Sequence, residues 1–316
     1  MDRNNNVIRT KPIGITSDDK FPVSYQSANT FFHFVNKFNY LNEMISDKKI
    51  YPRYCKESLE YLDLDIKNIS VAMKCFCNIP LHMVQAHKKE YGTYCIGLTK
   101  EWGIRNNLQP VIYYNQESSF YNSIRKSYNA AMQYSSDDDV LADIGEMTNY
   151  VFKYMKPVIG RDLKTKRIKD FTDEKEWRYV PEINGLDFGE IIVEENVINH
   201  QNIIESYNKI IKDKGYYLQF DYEDIKYIFV NNDSQRKNMI KRIKKLDCTQ
   251  EEKDLLITKI CIWKEMEGDF WWQILLKILK IKIIMMVFYH NLYWKSYLKN
   301  GMGIWNMFIK KMGHIC

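Results

Sequence analysis

Glycine is scarce in this chain, 13 in 316 residues, and proline scarcer still at 7. Nowhere do the glycines gather into a phosphate-cradling loop, so that nucleotide-binding signature is excluded. No serine sits in a G-x-S-x-G elbow, which removes the hydrolase motif of that type. The opening residues MDRNNNVIRTKP hold no apolar core of the length a secretory signal requires. The expected compartment is therefore the cytoplasm, with the seven cysteines kept as thiols. Three lysines break the one window long enough to span a bilayer, and no transmembrane segment is expected. Broad positive charge is missing too. The chain carries +6, but residues 270–316 hold seven lysines and no acid, which leaves −1 for residues 1–269. A general nucleic-acid surface is not expected from such a body.

What is present reads as globular. Hydrophobic residues make up 45% and charged ones 27%, enough apolar surface for one large domain. Residues 1–29 are polar and read as a poorly ordered arm. The main domain runs from 30 to 269. From 270 to 316 the composition turns abruptly to Lys, Ile, Met and Trp, as in a membrane-seeking amphipathic segment or a frameshifted extension, and the abruptness favours the latter.

Within the domain, alternation and helical spacing predict strands at Thr30–Val35, Val71–Leu81, Thr93–Leu98, Pro110–Tyr114, Gly189–Glu195, Tyr216–Phe220 and Ile225–Val230. Helices are predicted over residues 38–45, 81–90, most of 118–157, 197–213, 235–245 and 250–266. Asp137–Asp139 stand at the start of one apolar helical face. Asp233 and Ser234 are the cap candidates for the fifth of these helices, and Thr249 with Glu252 forms a capping box for the last. Strands and helices interleave without a regular repeat. The expectation is an α+β fold, with one mixed, mainly antiparallel sheet and flanking helices. Oligomeric state is not legible.

Three constellations carry possible chemistry. Cys55, Cys75, Cys77, His82, His87 and Cys95 have zinc-ligand side chains. A C-x-C pair on a strand, however, lacks the turn that chelation uses, and reads as two small apolar side chains; no metal is expected. The basic run Arg236, Lys237, Lys241, Arg242, Lys244 and Lys245 can track phosphates. It alternates with Met239, Ile240, Ile243 and Leu246, and reads as the solvated face of a packed helix. The third is FTDEKEWRYVP, residues 171–181. As a strand it places Glu174, Glu176 and Arg178 on one face and Lys175, Trp177 and Tyr179 on the other. Cleavage of an N-glycosidic bond needs a carboxylate against developing positive charge and a polar holder for the sugar. Glu176 fits the first role, with Glu174 and Arg178 orienting it; His33 fits the second, with Tyr51 and Tyr54 as nearby binding surface. The other reading is a charge ladder beside packed Trp177 and a buried, hydrogen-bonded His33. Residue logic alone favours the ladder.

The succession FHFVNKFNYLNEMI, YPRYC, VAMKCFCNIPL, YGTYCIGLTKEWG, PVIYY and DEKEWRYVP resembles the AbiGi family of abortive-infection phage-resistance proteins, over roughly residues 31 to 269. The resemblance implies an antitoxin, acting with a cognate toxin of the same operon, and supplies no catalytic residues. Such systems are often drawn as opposing a nucleotidyltransferase-like toxin. A looser layout, an aromatic-His strand with a late E-x-E-W-R strand, is similar to DarT-group ADP-ribosyltransferases. That similarity implies NAD as cofactor, held by His33, with Glu176 as catalytic glutamate. Otherwise no cofactor is named. A non-catalytic regulatory binding module is the remaining alternative.

Overall fold

The computed structural model describes residues 27–134, 139–184, 186 and 188–269. Most of the expected arm, Asp137 and Asp138 of the expected acidic start, and the whole segment 270–316 lie outside them. The chain divides into two units, residues 1–262 and 263–316. In the second, Trp263–Asp269 forms a helix. The first carries everything that follows.

Its frame is a nine-stranded sheet. Seven strands follow in the order Ile260–Ile262, Ile225–Val230, Tyr94–Thr99, Thr30–Val35, Asn68–Cys77, Glu176–Tyr179 and Gln109–Pro110. Arg53–Ser58 and Ile191–Ile192 also pair with Asn68–Cys77. Neighbours run antiparallel except the first pair, which is parallel. The fold is thus α+β with a mixed, mainly antiparallel sheet. Among the described residues no helix is long and apolar enough to cross a membrane.

The strand Asn68–Cys77 organises the rest. Its first half pairs with Arg53–Ser58, from Asn68 opposite Ser58 to Met73 opposite Arg53. Its second half pairs with Glu176–Tyr179, from Lys74 opposite Tyr179 to Cys77 opposite Glu176. Thr30–Val35 meets it at one register pair, Phe32 opposite Cys77, while staying paired along its full length with Tyr94–Thr99. Side chains alternate between faces at period two. Ile69, Val71 and Met73 accordingly enter one core cluster, with Tyr114, Tyr128, Phe152 and Met155. Ala72 enters another, with Ile198, Ile204 and Ile211. The largest cluster gathers Phe31, Leu41, Ile45, Phe76, Ile96, Trp102, Ile228 and Met239. The helix Phe38–Asp47 buries Leu41, Met44 and Ile45, the residues its spacing singles out, and ends at Lys48 in the left-handed region.

Several boundaries differ from the sequence expectation, each for a local reason. The 250–266 helix stops at Thr258, because Ile260–Ile262 adds to the sheet edge beside Ile225–Val230. Its capping box, Thr249 with Glu252, is present. The basic helix runs Asp233–Ile243 and is capped by Asn232, whose side chain accepts from Gln235 N; Asp233 is already helical. Pro110–Tyr114 breaks into Gln109–Pro110 and Ile112–Tyr114, which pair in different sheets. Residues 197–213 form two helices, Glu195–Ile198 and Gln201–Asp213. The strand Arg53–Ser58, RYCKES, has too few apolar residues to announce itself.

Gly103 lies in the helix Lys100–Arg105, where a Cβ would sit 2.2 Å from Phe31 Cε2. That ring is buried and flanked by Trp177 at 4.9 Å, so it has little room to move. An exposed helical Gly→Ala change stabilises by up to about 1 kcal/mol. Gly103→Ala is expected to do the opposite and destabilise by roughly 1–3 kcal/mol, as overpacking does. Urea unfolding of the variant checks the sign.

Candidate functional site

The segment 171–181 does not form a continuous strand. Phe171–Glu174 is a 3-10 turn whose N-terminal cap is Asp170, and Lys175 adopts φ 44. The strand covers Glu176–Tyr179. Within those four residues the alternation is as expected. Glu176 and Arg178 are buried on one face, and Trp177 and Tyr179 pack against the main core from the other. Glu174 reaches the same place by a different route, carried in by the turn.

The three residues enter a buried ion network. Arg178 is fully out of solvent. Its Nε donates to Glu176 Oε1 at 2.8 Å, its Nη1 to the Lys153 carbonyl at 2.8 Å, and its Nη2 lies 3.2 Å from Glu57 Oε1. Lys156 Nζ bridges Glu176 Oε2 at 2.7 Å and Glu174 Oε2 at 2.9 Å. Lys169 Nζ meets Glu174 Oε1 at 2.9 Å, and the Tyr91 hydroxyl donates to that same oxygen. Glu57, Glu174 and Glu176 therefore face Arg178, Lys156 and Lys169, and Lys169 also pairs with the exposed Glu90. Burial alone would raise the Glu176 carboxyl, but the charges of Arg178 and Lys156 override it and hold the group well below the usual carboxylate range. Burial likewise opposes the charge on Lys156, and Glu176, Glu57 and Glu174 more than restore it.

His33 shares a cavity of about 250 Å³ with this network; Glu57, Lys156, Glu174 and Glu176 line it together with His33, Cys75 and His87. His33 is 8% exposed, and its Nδ1 bonds the Cys75 carbonyl at 2.9 Å. A carbonyl can only accept, so Nδ1 carries the proton and the neutral ring leaves Nε2 as an acceptor. Nε2 has no hydrogen-bond partner among the described residues. Burial, then the Lys74 charge, keep His33 well below its ordinary pKa despite the Cys75 bond. Burial also pushes the Cys75 and Cys77 thiols up, so they are protonated and poor nucleophiles.

His33, Glu174 and Glu176 are thus brought together from distant parts of the chain, with Arg178 behind Glu176. Tyr51 and Tyr54 are not with them. Tyr51 lines a second cavity. Tyr54 is buried against Phe188 and Tyr207, and its hydroxyl donates to the Gly189 carbonyl. Among the described residues no group of three His, Cys, Asp or Glu side chains is arranged to hold a metal. Cys55, Cys75, Cys77 and His87 do border one cavity, but His82 is exposed and Cys95 packs elsewhere. The basic helix buries Met239 and Ile243 and sets Arg242 over the Phe38 ring, as a packed helix does. Sequence reasoning missed Lys156 and Glu57. The signal for each was a charge alternating with apolar or small residues, in MKP and RYCKES.

Chemically, the cavity offers two imidazoles with unpartnered ring nitrogens among the described residues, His33 at Nε2 and His87, beside carboxylates already paired with cations. Its volume, about 250 Å³, is just below the roughly 300–1,000 Å³ of drug-sized ligand pockets, and Glu57, Tyr91, Lys156 and Glu174 also line a neighbouring cavity of about 900 Å³.

Fold and site together define an α+β protein with a neutralised ion cluster beside a small polar cavity. A family model described as "Putative abortive phage resistance protein AbiGi, antitoxin" matches residues 48–231, a span that includes Glu57, Lys156, Glu174, Glu176 and Arg178. The abortive phage resistance protein AbiGi of Lactococcus lactis subsp. cremoris is 32% identical over 249 residues, covering 69% of this chain and 98% of that protein. The chain belongs to the AbiGi family of abortive phage resistance proteins. No solved structure matches it.

The histidine makes stability depend on pH. The unfolded chain takes up a proton at His33 near pH 6.5, whereas the folded chain, with its lowered pKa, does not. His33 therefore contributes full stability above that pH and progressively less below it. Between pH 7 and pH 5.5 the wild type is expected to lose about 1 kcal/mol more than His33→Gln. Urea unfolding at the two pH values measures the difference; equal losses would show that His33 titrates alike in both states.

Proposed function

We propose that this chain is the antitoxin component of an abortive-infection toxin–antitoxin system, acting in the cytoplasm against a cognate toxin encoded in the same operon. The observation that carries the reading is the extent of the family match. The chain covers 98% of the L. lactis protein, so the relationship spans a whole protein and not one shared module. Co-expression tests this directly. The full chain, expressed beside the neighbouring toxin gene, is expected to restore growth that the toxin alone abolishes. Unrelieved toxicity, with the chain present and folded, overturns the assignment.

One observation favours a second reading, an NAD-dependent ADP-ribosyltransferase-like effector. His33 and Glu176, the two residues it requires, line the same cavity despite their separation in sequence. Against it, both Glu176 oxygens already face cations, so the carboxylate stabilises a developing positive charge only if Lys156 or Arg178 yields its place. If NAD binds here, a concentration about 100 times its Kd stabilises the folded chain by about 2.7 kcal/mol, several degrees in Tm. A melting temperature unmoved by millimolar NAD removes this reading. A shift accompanied by toxicity that Glu176→Gln abolishes would displace the antitoxin assignment. Where NAD shifts nothing and Glu176→Gln leaves protection intact, the cluster acts as structure and the chain as a non-catalytic binding module.

A further inference from the structure

Lys74 sits between Met73 and Cys75 on the central strand, and by the alternation of that strand it points away from the His33 cavity. It lines a separate cavity of about 310 Å³, together with Tyr51, Arg53, Asn208, Lys209 and Lys212. Lys49 completes the positive side, and Glu43, Asp47 and Glu205 are the carboxylates present. Five cations against three anions leave the wall at +2.

How those charges are engaged matters more than their number. Arg53 pairs with Glu205 at 2.5 Å. Lys49 stands over the Tyr217 ring at 4.2 Å and Lys212 over the Tyr51 ring at 5.0 Å. Among the described residues, Lys49, Lys74, Lys209 and Lys212 make no ion pair. Lys74, on the central strand, and Lys49 are half-buried, whereas Lys209 and Lys212 are exposed. Burial pushes the Lys74 ammonium below the usual range and Arg53 adds to the effect; the Cys55 and Cys75 sulfurs nearby would favour the charge, but burial keeps them protonated. A partly buried amine without a counter-ion is costly to keep. Asn208 adds a polar group fixed in orientation. Its Oδ1 accepts from Tyr54 N at 2.8 Å, which leaves its NH₂ as the free end.

We propose that this cavity binds the phosphate group of a small phosphorylated molecule, with Lys74 and Asn208 as its inner contacts and Lys209 and Lys212 at its mouth. A phosphate monoester carries about −1.5 to −2 at pH 7 and presents several strong acceptor oxygens, which matches a +2 wall made mostly of lysines. Carboxylates, with one charge, leave the wall unbalanced. The ring of Tyr51 adds an apolar surface beside the phosphate position. The site is separate from the His33 cavity, and its assignment rests on neither functional reading above.

Titration calorimetry on the full chain at low salt tests it with inorganic phosphate, AMP and adenosine. Phosphate and AMP are expected to bind saturably and adenosine not to. AMP binding tighter than phosphate means that the Tyr51 side contacts the nucleoside; equal binding means that the phosphate group alone is recognised, and both support the site. Lys74→Met removes a charged hydrogen-bond donor and is expected to weaken binding about tenfold or more. Its folding is checked by a melting temperature at or above the wild type without ligand, because a buried amine has been exchanged for an apolar side chain of similar length. Lys212→Gln, an exposed position, provides a second variant expected to weaken binding, while Lys245→Gln, in the turn after the basic helix, should leave it unchanged. The proposal is overturned if neither phosphate nor AMP binds, or if Lys74→Met and Lys212→Gln both bind as the wild type does. Binding of a single-stranded oligonucleotide with no AMP binding would also overturn it, in favour of a nucleic-acid surface.

Discussion

A guanidinium with no access to water sets the terms for the sheet around it. Arg178 is buried completely and bonds Glu176 on its own strand, Glu57 on Arg53–Ser58, and the carbonyl of Lys153 at the end of the helix Asp139–Lys153. Removing either glutamate would leave buried charge less compensated, at a cost on the order of 3–5 kcal/mol. The register of Glu176–Tyr179 against Asn68–Cys77 is therefore tied to the placement of two other elements. A slip by one residue would move Arg178 to the core face occupied by Trp177 and Tyr179. Such a cluster adds little net stability over an apolar replacement, and its effect is better described as fixing which arrangement is adopted.

The central strand then separates two chemistries by parity. Cys75 faces the cavity where carboxylates, cations and a neutral imidazole meet. Lys74, one residue earlier, faces the lysine-lined cavity on the other side. Proximity through the strand is felt in both, since the Lys74 charge is one of the causes that keep His33 neutral. Thr30–Val35 touches the central strand at Phe32 opposite Cys77, and the side chain of His33 bonds the Cys75 carbonyl beyond that point. A side chain thereby takes a backbone acceptor that a continued ladder would use, and the cavity lies where the two strands part.

Much of this was legible from residue patterns. The strands Thr30–Val35 and Ile225–Val230 announce themselves by aromatic and β-branched runs, and the helix Phe38–Asp47 by its apolar spacing. The pairing of Glu176 with Arg178, two apart on one face, follows from strand alternation. What was not legible depends on contacts distant in sequence. No pattern marks Lys175 as left-handed, so Glu174 could be assigned to the right cavity for the wrong reason. Lys156 neutralises both glutamates from a three-residue strand too short to carry a periodic signal. Tyr51 and Tyr54 are near His33 in any reading that counts proximity to the aromatic strand. Pairing of Arg53–Ser58 with Asn68–Cys77 instead carries Tyr54 into the cluster with Tyr207. The end of the 250–266 helix was set by a sheet edge that only tertiary structure supplies.

The same charge balance bears on how the His33 cavity could work. Glu174 and Glu176 converge on a single ammonium, that of Lys156, and each meets a second cation, Lys169 (shared with Glu90) and Arg178 (shared with Glu57). Were Lys156 to swing away, each carboxylate would keep one partner while the cluster gained net negative charge facing His33 Nε2. A cationic or hydrogen-bond-donating group entering the cavity could replace Lys156 at small electrostatic cost, because the new charge substitutes for the old one. An anion could not, since it would meet the carboxylates directly. The geometry therefore selects donors and cations at this cavity and phosphate-like anions at the other, and a single strand keeps the two apart.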